Sequence, residues 1–268
     1  MIDSAAYLER IGYSGPTAPT WRTLRGLHLA HLRAAPFENL DIHLGRPIVL
    51  DEDALFAKIV SHRRGGFCYE LNGLFAALLR DLGFGVTLLA AQYPRDDGVA
   101  PPETDHLVLR VTAADSDEPR LVDVGAGGDS FALPLRTATA SKQPRAASGA
   151  NFRLVPEEGR QRLLRQEPGG PWEVRYAFTG QPRALADFVA GCAFHQTSPD
   201  SPFPRRRVCT RLTPQGRISL IEHRLITVDA GTRTERELAD DAAYRDALRT
   251  HFGIALDGEW RLRSGMTS

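Results

Sequence analysis

The chain has 268 residues, enough to bury a substantial core, and its 33 basic residues balance 33 acidic ones. Without net charge it has no global field to attract nucleic acid or an anionic membrane, so we expect neither as a partner. Its three cysteines lack CxxC spacing, and no stretch approaches the roughly 20 apolar residues that span a bilayer, so we expect no disulfide framework, no metal site and a cytoplasmic location.

The first third of the chain has helical periodicity. Apolar residues recur at three- and four-residue steps, which predicts short helices joined by Gly and Pro. The predicted helices cover residues 5–11, 21–34, 52–61 and 68–81. The last of these, CYELNGLFAALLRD, ends before Gly83, as expected for a helix with a C-cap glycine.

After Gly85 the apolar residues alternate with a period of two, which predicts an antiparallel sheet or a small barrel. The predicted strands are VTLLAAQY, HLVLRV, RLVDVG, FRLVP, RLLRQE and WEVRYAF. Residues 133–150 are rich in small polar side chains, which is typical of a mobile surface loop, and a plain linker is the favoured interpretation.

The last part of the chain has a mixed pattern. A helix is predicted over residues 181–194, followed by the loop HQTSPDSPFP, and a final helix over residues 235–252. Between them, VCTRLTP and RISLIEHRLITVD are predicted as strands around a Pro-Gln-Gly turn. The changes of pattern divide the chain into three predicted units, residues 1–84, 85–180 and 181–268.

Cys68 is a candidate nucleophile. It follows two glycines in RRGGFCYELN and stands at the predicted start of the long helix, where free N–H groups and the positive helix end stabilise a thiolate. A free cysteine is more commonly a small buried hydrophobic residue, and that interpretation stays open at this stage. Cys192 and Cys209 fit it better, because neither follows a Gly-Gly turn.

His106 and Asp123 are candidates for a base and the group that orients it. They lie on the consecutive predicted strands HLVLRV and RLVDVG. A hairpin centred near Asp115 and Ser116 would place both on one face, whereas a one-residue slip would separate them. An aspartate in an apolar strand is costly to bury unless a partner such as histidine compensates its charge. The alternative interpretations are that His106 is a partly exposed residue at the end of a strand and that Asp123 is an acid associated with a turn.

Four blocks of the sequence carry a resemblance to the arylamine N-acetyltransferases: APFENLDIH, RRGGFCYELNGLF, TDHLVLRV and LVDVGAGG, in matching order and spacing. The likeness continues through SPDSPFPRRRVCTRLTPQGRISL and covers nearly the whole chain. It implies an α+β fold with an N-terminal helical bundle, a central antiparallel β-barrel and a C-terminal α/β lid. It also implies a papain-like triad of Cys68, His106 and Asp123.

The resemblance implies a ping-pong reaction through an acylated cysteine. The acyl donor would be acetyl-CoA or another acyl thioester, and the acceptor an arylamine or hydrazine-type amine. No permanently bound cofactor and no metal are expected. The Cys68 backbone N–H is a candidate donor to the oxyanion.

The resemblance further implies residues that contact substrate or coenzyme A, which are Phe37, Thr104, Gly125, Ala126, Gly127, Gly128 and Phe203. Without the resemblance, the two phenylalanines would be interpreted as core residues and the glycines as a turn. Ala126 stands where the family commonly has phenylalanine, which predicts a larger pocket. Glu38 and Arg64 are predicted to form a buried ion pair behind the cysteine, with solvated charges as the alternative.

Three other functions compete. An amide synthase would join an acyl chain from an acyl carrier protein to an arylamine, as relatives in ansamycin-type pathways do, and Ala126 favours it slightly. A papain-like peptidase shares the order of cysteine and histidine but would cleave peptides. A binding module would not need a Gly-Gly-x-Cys helix start together with His106 and Asp123.

Overall fold

The protein is described by a computed structural model over residues 2–95, 98, 100–137, 143–144 and 149–256. Much of the predicted mobile loop, residues 133–150, lies outside the described residues. The described α-helices are Ser4–Arg10 (α1), Trp21–Ala34 (α2), Leu40–Leu44 (α3), Glu52–Phe56 (α4), Cys68–Asp81 (α5), Val189–Thr197 (α6) and Asp241–Ala247 (α7). None of the helices in these ranges has the length and apolar composition needed to cross a membrane.

Helix α5 is the centre of the N-terminal part. Its residues from Cys68 to Leu79 are all buried, as expected for a helix that is apolar on nearly all sides. It packs against α1, α4 and the first two long strands of the sheet described next. Helix α4 continues directly into a wide helical turn, Ala57–Ser61, so that the predicted helix over residues 52–61 is one helical stretch.

Eight antiparallel strands form the central sheet, in the order β5-β4-β3-β2-β9-β8-β7-β6. They are Gly85–Gln92 (β2), His106–Ala113 (β3), Ser116–Val122 (β4), Leu135–Arg136 (β5), Gln143–Pro144 (β6), Asn151–Glu157 (β7), Arg160–Gln166 (β8) and Trp172–Thr179 (β9). Strand β5 approaches β7 across the opening, so the sheet curls into a nearly closed barrel. The predicted α+β fold class is confirmed.

The alternation along β2 and β3 gives the two faces of this sheet different partners. Leu88 and Leu107 belong to the core shared with the helices, whereas Leu89 and Val108 belong to the core inside the barrel. His106 is two residues from Val108, so its side chain lies on the barrel-interior face.

A second antiparallel sheet has the order β1-β10-β11-β12-β13. Its strands are Phe37–Glu38 (β1), Val208–Leu212 (β10), Gly216–Ile221 (β11), Arg224–Asp229 (β12) and Thr232–Glu237 (β13). Its core also contains residues of α7 and Leu40 of α3. A strand from the first 84 residues therefore completes the C-terminal sheet. The predicted division at residues 84/85 and 180/181 stays a prediction.

Three predicted elements differ from the structure. The final helix begins at Asp241 rather than at residue 235, because the segment TRTERE pairs with β12 and the Asp240 side chain caps the helix by accepting from Ala243 N–H at 2.8 Å. The helix predicted over residues 181–194 begins only at a 3-10 turn, Leu185–Phe188, and extends to Thr197. RISLIEHRLITVD is two strands separated by a turn at Glu222 and His223.

Candidate active site

Cys68 is the first residue of α5, where the backbone N–H groups have no intrahelical acceptor. The preceding turn is fixed by the Glu70 carboxylate, which accepts from the Phe67 backbone N–H at 3.0 Å. Gly66 makes room for this contact, because a Cβ atom there would lie 2.7 Å from Glu70 Oε2. The sequence RGGFCYE thus folds into a tight turn and a helix start, with the cysteine at the first helical position.

Gly125 lets the barrel approach the start of this helix. A Cβ atom on Gly125 would lie 2.6 Å from Cys68 Cα and 2.8 Å from Asn72 Nδ2, which real Cβ atoms do not allow. The loop after β4 can therefore pack directly on the first turn of α5. This contact brings the residues of β3 and β4 to Cys68.

His106 and Asp123 lie together, at the start of β3 and just after β4. His106 Nε2 is 2.8 Å from Asp123 Oδ2. A bulge in the hairpin moves the register of the two strands by two residues, from Ala113↔Ser116 to Val111↔Arg120. Because a shift of two keeps side chains on the same face, both residues stay on the barrel interior, where a shift of one would have separated them.

Four donors surround the Asp123 carboxylate. Besides His106, these are the Tyr176 hydroxyl at 3.0 Å, the Asn72 side-chain amide at 2.9 Å and the Gly125 backbone N–H at 2.9 Å. Asn72 is one helical turn after Cys68, so α5 carries both the thiol and a residue that fixes the acid. The carboxylate is fully buried, and these donors compensate its charge.

The His106 ring joins Cys68 to Asp123. It is hydrogen-bonded to the carboxylate and lies close enough to Cys68 for the sulfur to influence its pKa. Burial disfavours the charged ring, but Asp123 and Cys68 outweigh it and raise the pKa of His106 to about 10. Burial would likewise raise the pKa of Asp123, but His106, Asn72 and Gly125 hold that pKa below its usual range. The arrangement favours an imidazolium between a carboxylate and a sulfur atom.

The other two cysteines do not share this environment. Burial raises the pKa of Cys192 to about 12, and the charges of Glu70 and Cys68 contribute to the rise. Burial also raises the pKa of Cys209, which lies in the core of the C-terminal sheet. Both are therefore neutral thiols near pH 7, as expected for structural cysteines.

A cavity of about 600 Å³ opens above Cys68 and His106. It is lined by six of the seven predicted contact residues, which are Phe37, Gly125, Ala126, Gly127, Gly128 and Phe203. The rings of Phe37 and Phe203 are tilted against each other with centroids 6.0 Å apart. Gly127 has a φ of 58°, and a Cβ atom there would lie 3.2 Å from the Phe37 ring.

Thr104 lies outside this cavity. Its carbonyl oxygen accepts from the Tyr69 hydroxyl at 2.6 Å, and the residue faces a separate surface depression beside Glu103 and Arg183. Thr104 therefore does not line the cavity above Cys68, and the contact with substrate that the resemblance implied stays a prediction.

The predicted ion pair of Glu38 and Arg64 is confirmed, and it is part of a larger buried network. Arg64 Nε donates to Glu38 Oε1 at 2.9 Å, and Arg64 Nη2 donates to Asp41 Oδ1 at 3.0 Å. Lys58 Nζ lies 2.7 Å from both Asp41 and Glu70. Since Glu70 also fixes the turn before Cys68, this network supports the position of the cysteine from behind.

Several residues at the site were missed by sequence reasoning. Asn72 could have been found from its spacing of four from Cys68, whereas Tyr176 gives no such signal. Asp105 and His195 also line the cavity, and their side chains are hydrogen-bonded at 3.1 Å. His195 Nδ1 is 2.9 Å from the buried Ser201 hydroxyl. Within the described ranges, no group of three His, Cys, Asp or Glu side chains is arranged to hold a metal ion.

Comparison with known proteins adds an independent finding. A family model described as N-acetyltransferase matches residues 20–261. The chain is 37% identical over 259 residues to an arylamine N-acetyltransferase of Mycolicibacterium smegmatis, covering 95% of this chain and 93% of that protein. It is 32% identical over 254 residues to proansamycin X synthase of Amycolatopsis mediterranei, covering 91% of this chain and 95% of that protein. A structure of Mycobacterium marinum arylamine N-acetyltransferase in complex with CoA is similar with a TM-score of 0.86 at 35% identity, covering 94% and 93%.

Proposed function

The chain belongs to the arylamine N-acetyltransferase family and is an acyltransferase, and from that premise we propose that Cys68, His106 and Asp123 form its catalytic triad. The observation that carries the proposal is that Cys68 and His106 line the same cavity, while His106 is hydrogen-bonded to the buried Asp123 carboxylate at 2.8 Å. A thiol, an imidazole and a carboxylate in this order supply the nucleophile, the base and the orienting acid that covalent acyl transfer requires.

In the first half-reaction, Cys68 Sγ attacks the carbonyl carbon of an acyl thioester, for which we propose acetyl-CoA. The bond from that carbon to the coenzyme sulfur breaks, and the leaving thiolate takes a proton from the His106 imidazolium. The Cys68 backbone N–H, in the first turn of α5, would donate to the oxygen that becomes negative. The product is a thioester on Cys68 and free coenzyme A.

In the second half-reaction, the nitrogen of an arylamine or hydrazine-type amine attacks the thioester carbonyl. His106, now neutral, accepts a proton from that nitrogen, and the bond to Cys68 Sγ breaks to release the amide. Asp123 keeps the ring oriented and stabilises its positive charge through both steps. Phe37 and Phe203 supply an aromatic wall suited to a flat, apolar acceptor.

The experiment that tests the proposed function separates the two half-reactions. The protein is mixed with acetyl-CoA, freed of coenzyme by gel filtration and measured by intact-protein mass spectrometry, then mixed with an aniline. We expect one acetyl group on the protein after the first step and its quantitative transfer to the aniline in the second. Acetylated aniline formed only while acetyl-CoA is still present would exclude the covalent intermediate.

A second candidate is an amide synthase that takes a larger acyl chain from an acyl carrier protein. Two observations favour it: the 32% identity to proansamycin X synthase, and Ala126 in the wall of the cavity, where the family commonly has phenylalanine. Phe131 does not fill the space that Ala126 leaves, because it is stacked on His28 in the barrel core. Tyr93 lines the cavity, and its ring contacts His106 edge-on.

Ala126→Phe tests whether this space is used by substrate. The added ring would occupy part of the cavity, so kcat/KM for bulky acyl thioesters or acceptors should fall by about tenfold or more, while transfer from acetyl-CoA to aniline changes little. The backbone permits the substitution, because Ala126 has φ −78°. The measurement is kcat/KM for a series of acyl-CoA thioesters of increasing chain length.

Ala126→Val is the graded control, because it adds only two methyl groups and should have an intermediate effect that begins at longer chains. Equal losses for short and long chains in both variants would show that the space does not set specificity. Thermal unfolding of each variant distinguishes that outcome from overpacking, which costs about 1–3 kcal/mol of stability.

A further inference from the structure

Three arginines lie around the mouth of the cavity above Cys68. Arg95 follows β2, and the exposed residues Arg205 and Arg206 follow α6 in the loop that carries Phe203. Among the described residues that line the cavity, the carboxylates are Asp105 and Asp200. Asp105 is buried and bonded to His195, which leaves Asp200 as the exposed acid there. The part of the mouth formed by the described residues of the loop after α6 is therefore positive, although the whole chain has equal numbers of basic and acidic residues.

The positive charge of Arg205 and Arg206 is not neutralised by a carboxylate in the part of the chain that the structure describes. Arg205 Nε donates to the Pro199 carbonyl at 2.7 Å, which orients the guanidinium without compensating its charge. Arg95 Nη2 donates to the Asp200 carbonyl at 2.8 Å, so it is tied to the same loop. A planar guanidinium held in this way can donate two parallel N–H groups to two oxygens of a phosphate.

The loop that carries Arg205 and Arg206 is fixed from several sides. The Asn39 side-chain amide donates to the Phe203 and Arg206 carbonyls at 3.0 and 2.8 Å. His43 Nε2 is 2.9 Å from the Phe203 carbonyl. At the start of the loop, the Ser201 hydroxyl is bonded to His195, which is bonded in turn to Asp105. Because the backbone is already ordered, little conformational entropy is lost when an anion binds to the two arginines.

We propose that Arg205 and Arg206, together with Arg95, hold the phosphate groups of the acyl donor and make this enzyme select phosphate-bearing thioesters. This inference rests on the proposed function, because the donor must reach Cys68 through the same cavity. The thioester end enters the cavity along the wall formed by Phe37 and Phe203, and the phosphate-bearing end stays at the mouth, beside the arginines. Free coenzyme A and a carrier protein both present a phosphate on pantetheine, so this chemistry is common to both donors.

The test compares four donors that share an acetyl thioester but differ in phosphate: acetyl-CoA, acetyl-dephospho-CoA, S-acetyl-4′-phosphopantetheine and S-acetylpantetheine. We expect wild-type kcat/KM to be highest for acetyl-CoA, and the advantage of acetyl-CoA over S-acetylpantetheine to shrink by about tenfold or more in Arg205→Gln/Arg206→Gln. The wild-type KM for acetyl-CoA should rise with ionic strength more steeply than that of the variant.

Arg22→Gln/Arg46→Gln is the matched control, because it removes two exposed arginines that do not line the cavity. This control should keep the wild-type ratio of kcat/KM for acetyl-CoA to kcat/KM for S-acetylpantetheine. Arg205→Lys/Arg206→Lys, which keeps the charge, should keep part of that ratio. If the ratio is the same in Arg205→Gln/Arg206→Gln as in wild type, the proposal is wrong. Failure of the proposed function is a different result, since wild-type protein would then transfer acetyl from none of the four donors.

The four donors also identify the source of the phosphate. If kcat/KM of Arg205→Gln/Arg206→Gln falls as much for S-acetyl-4′-phosphopantetheine as for acetyl-CoA, the arginines bind the phosphate that carrier-bound donors share. If kcat/KM falls only for acetyl-CoA and acetyl-dephospho-CoA, the arginines bind the nucleotide end of coenzyme A. Both results support recognition of phosphate by the arginines.

Discussion

Cys68→Ala abolishes formation of the acyl-enzyme, so that intact-protein mass spectrometry after mixing with acetyl-CoA finds only unmodified chain. Turnover should fall by at least about 10³-fold, because loss of a nucleophile in a catalytic triad leaves only binding and oxyanion stabilisation. The alanine fits the same space at the start of α5, so the fold should be kept. In wild-type protein, peptide mapping should find the acetyl group on Cys68, and hydroxylamine or an arylamine should remove it.

The other cysteines provide matched controls for this result. Burial raises the pKa of Cys192 to about 12 and also raises that of Cys209, so neither thiol ionises near neutral pH. Cys192→Ala and Cys209→Ala should therefore still accept one acetyl group. An active Cys68→Ala variant with the label on Cys192 or Cys209 would refute the mechanism.

Asp123→Asn is expected to lower kcat by roughly 10³- to 10⁴-fold while leaving the fold approximately intact, as loss of the orienting acid does in serine-protease triads. Without the carboxylate charge, burial dominates and the pKa of His106 falls well below about 10. The new side-chain amide also faces the donors of Asn72 and Tyr176, which were placed to meet acceptor oxygens. Steady-state kinetics and an NMR titration of His106 measure the two effects.

Tyr176→Phe is the control for this prediction. It removes one hydrogen bond to Asp123 but leaves the carboxylate charge, so activity should fall by about tenfold or less and the pKa of His106 should change little. Near-normal turnover of Asp123→Asn, with the fold shown to be intact by circular dichroism, would remove Asp123 from the triad.

The raised pKa of His106 also links the triad to stability. Because the folded-state pKa of about 10 exceeds the ordinary value of 6.5, the charged ring stabilises the fold fully below pH 6.5, and this contribution is lost as the pH rises through 10. The lowered pKa of Asp123 acts in the opposite direction, since its stabilisation is present above pH 3.8 and is lost as the pH falls below that value. The proposed triad therefore contributes most to stability between pH 3.8 and pH 6.5, where both groups are charged.

Local sequence determined the features that depend on neighbouring residues. The Gly-Gly turn and the start of a helix at Cys68 could be predicted because helix starts and tight turns are decided within a few residues. The change of period after Gly85 likewise predicted the sheet and, with the helices, the α+β fold class. The helix prediction was wrong at residues 235–237, where the end of a polar segment belongs to β13 because that segment pairs with β12.

Tertiary structure alone decided how the site is completed. The sequence proposed that His106 and Asp123 share a face, and the bulge in their hairpin preserves this only because it shifts the register by two residues and not by one. Tyr176 reaches Asp123 across 53 residues of chain, and His195 reaches Asp105 across 90. No local pattern encodes such contacts, because they form only when the barrel closes and the loop before β10 packs over it. Cys68 could thus be identified as a candidate nucleophile from its own segment, whereas the arginines that gather at the mouth of the cavity could be identified only in the folded chain.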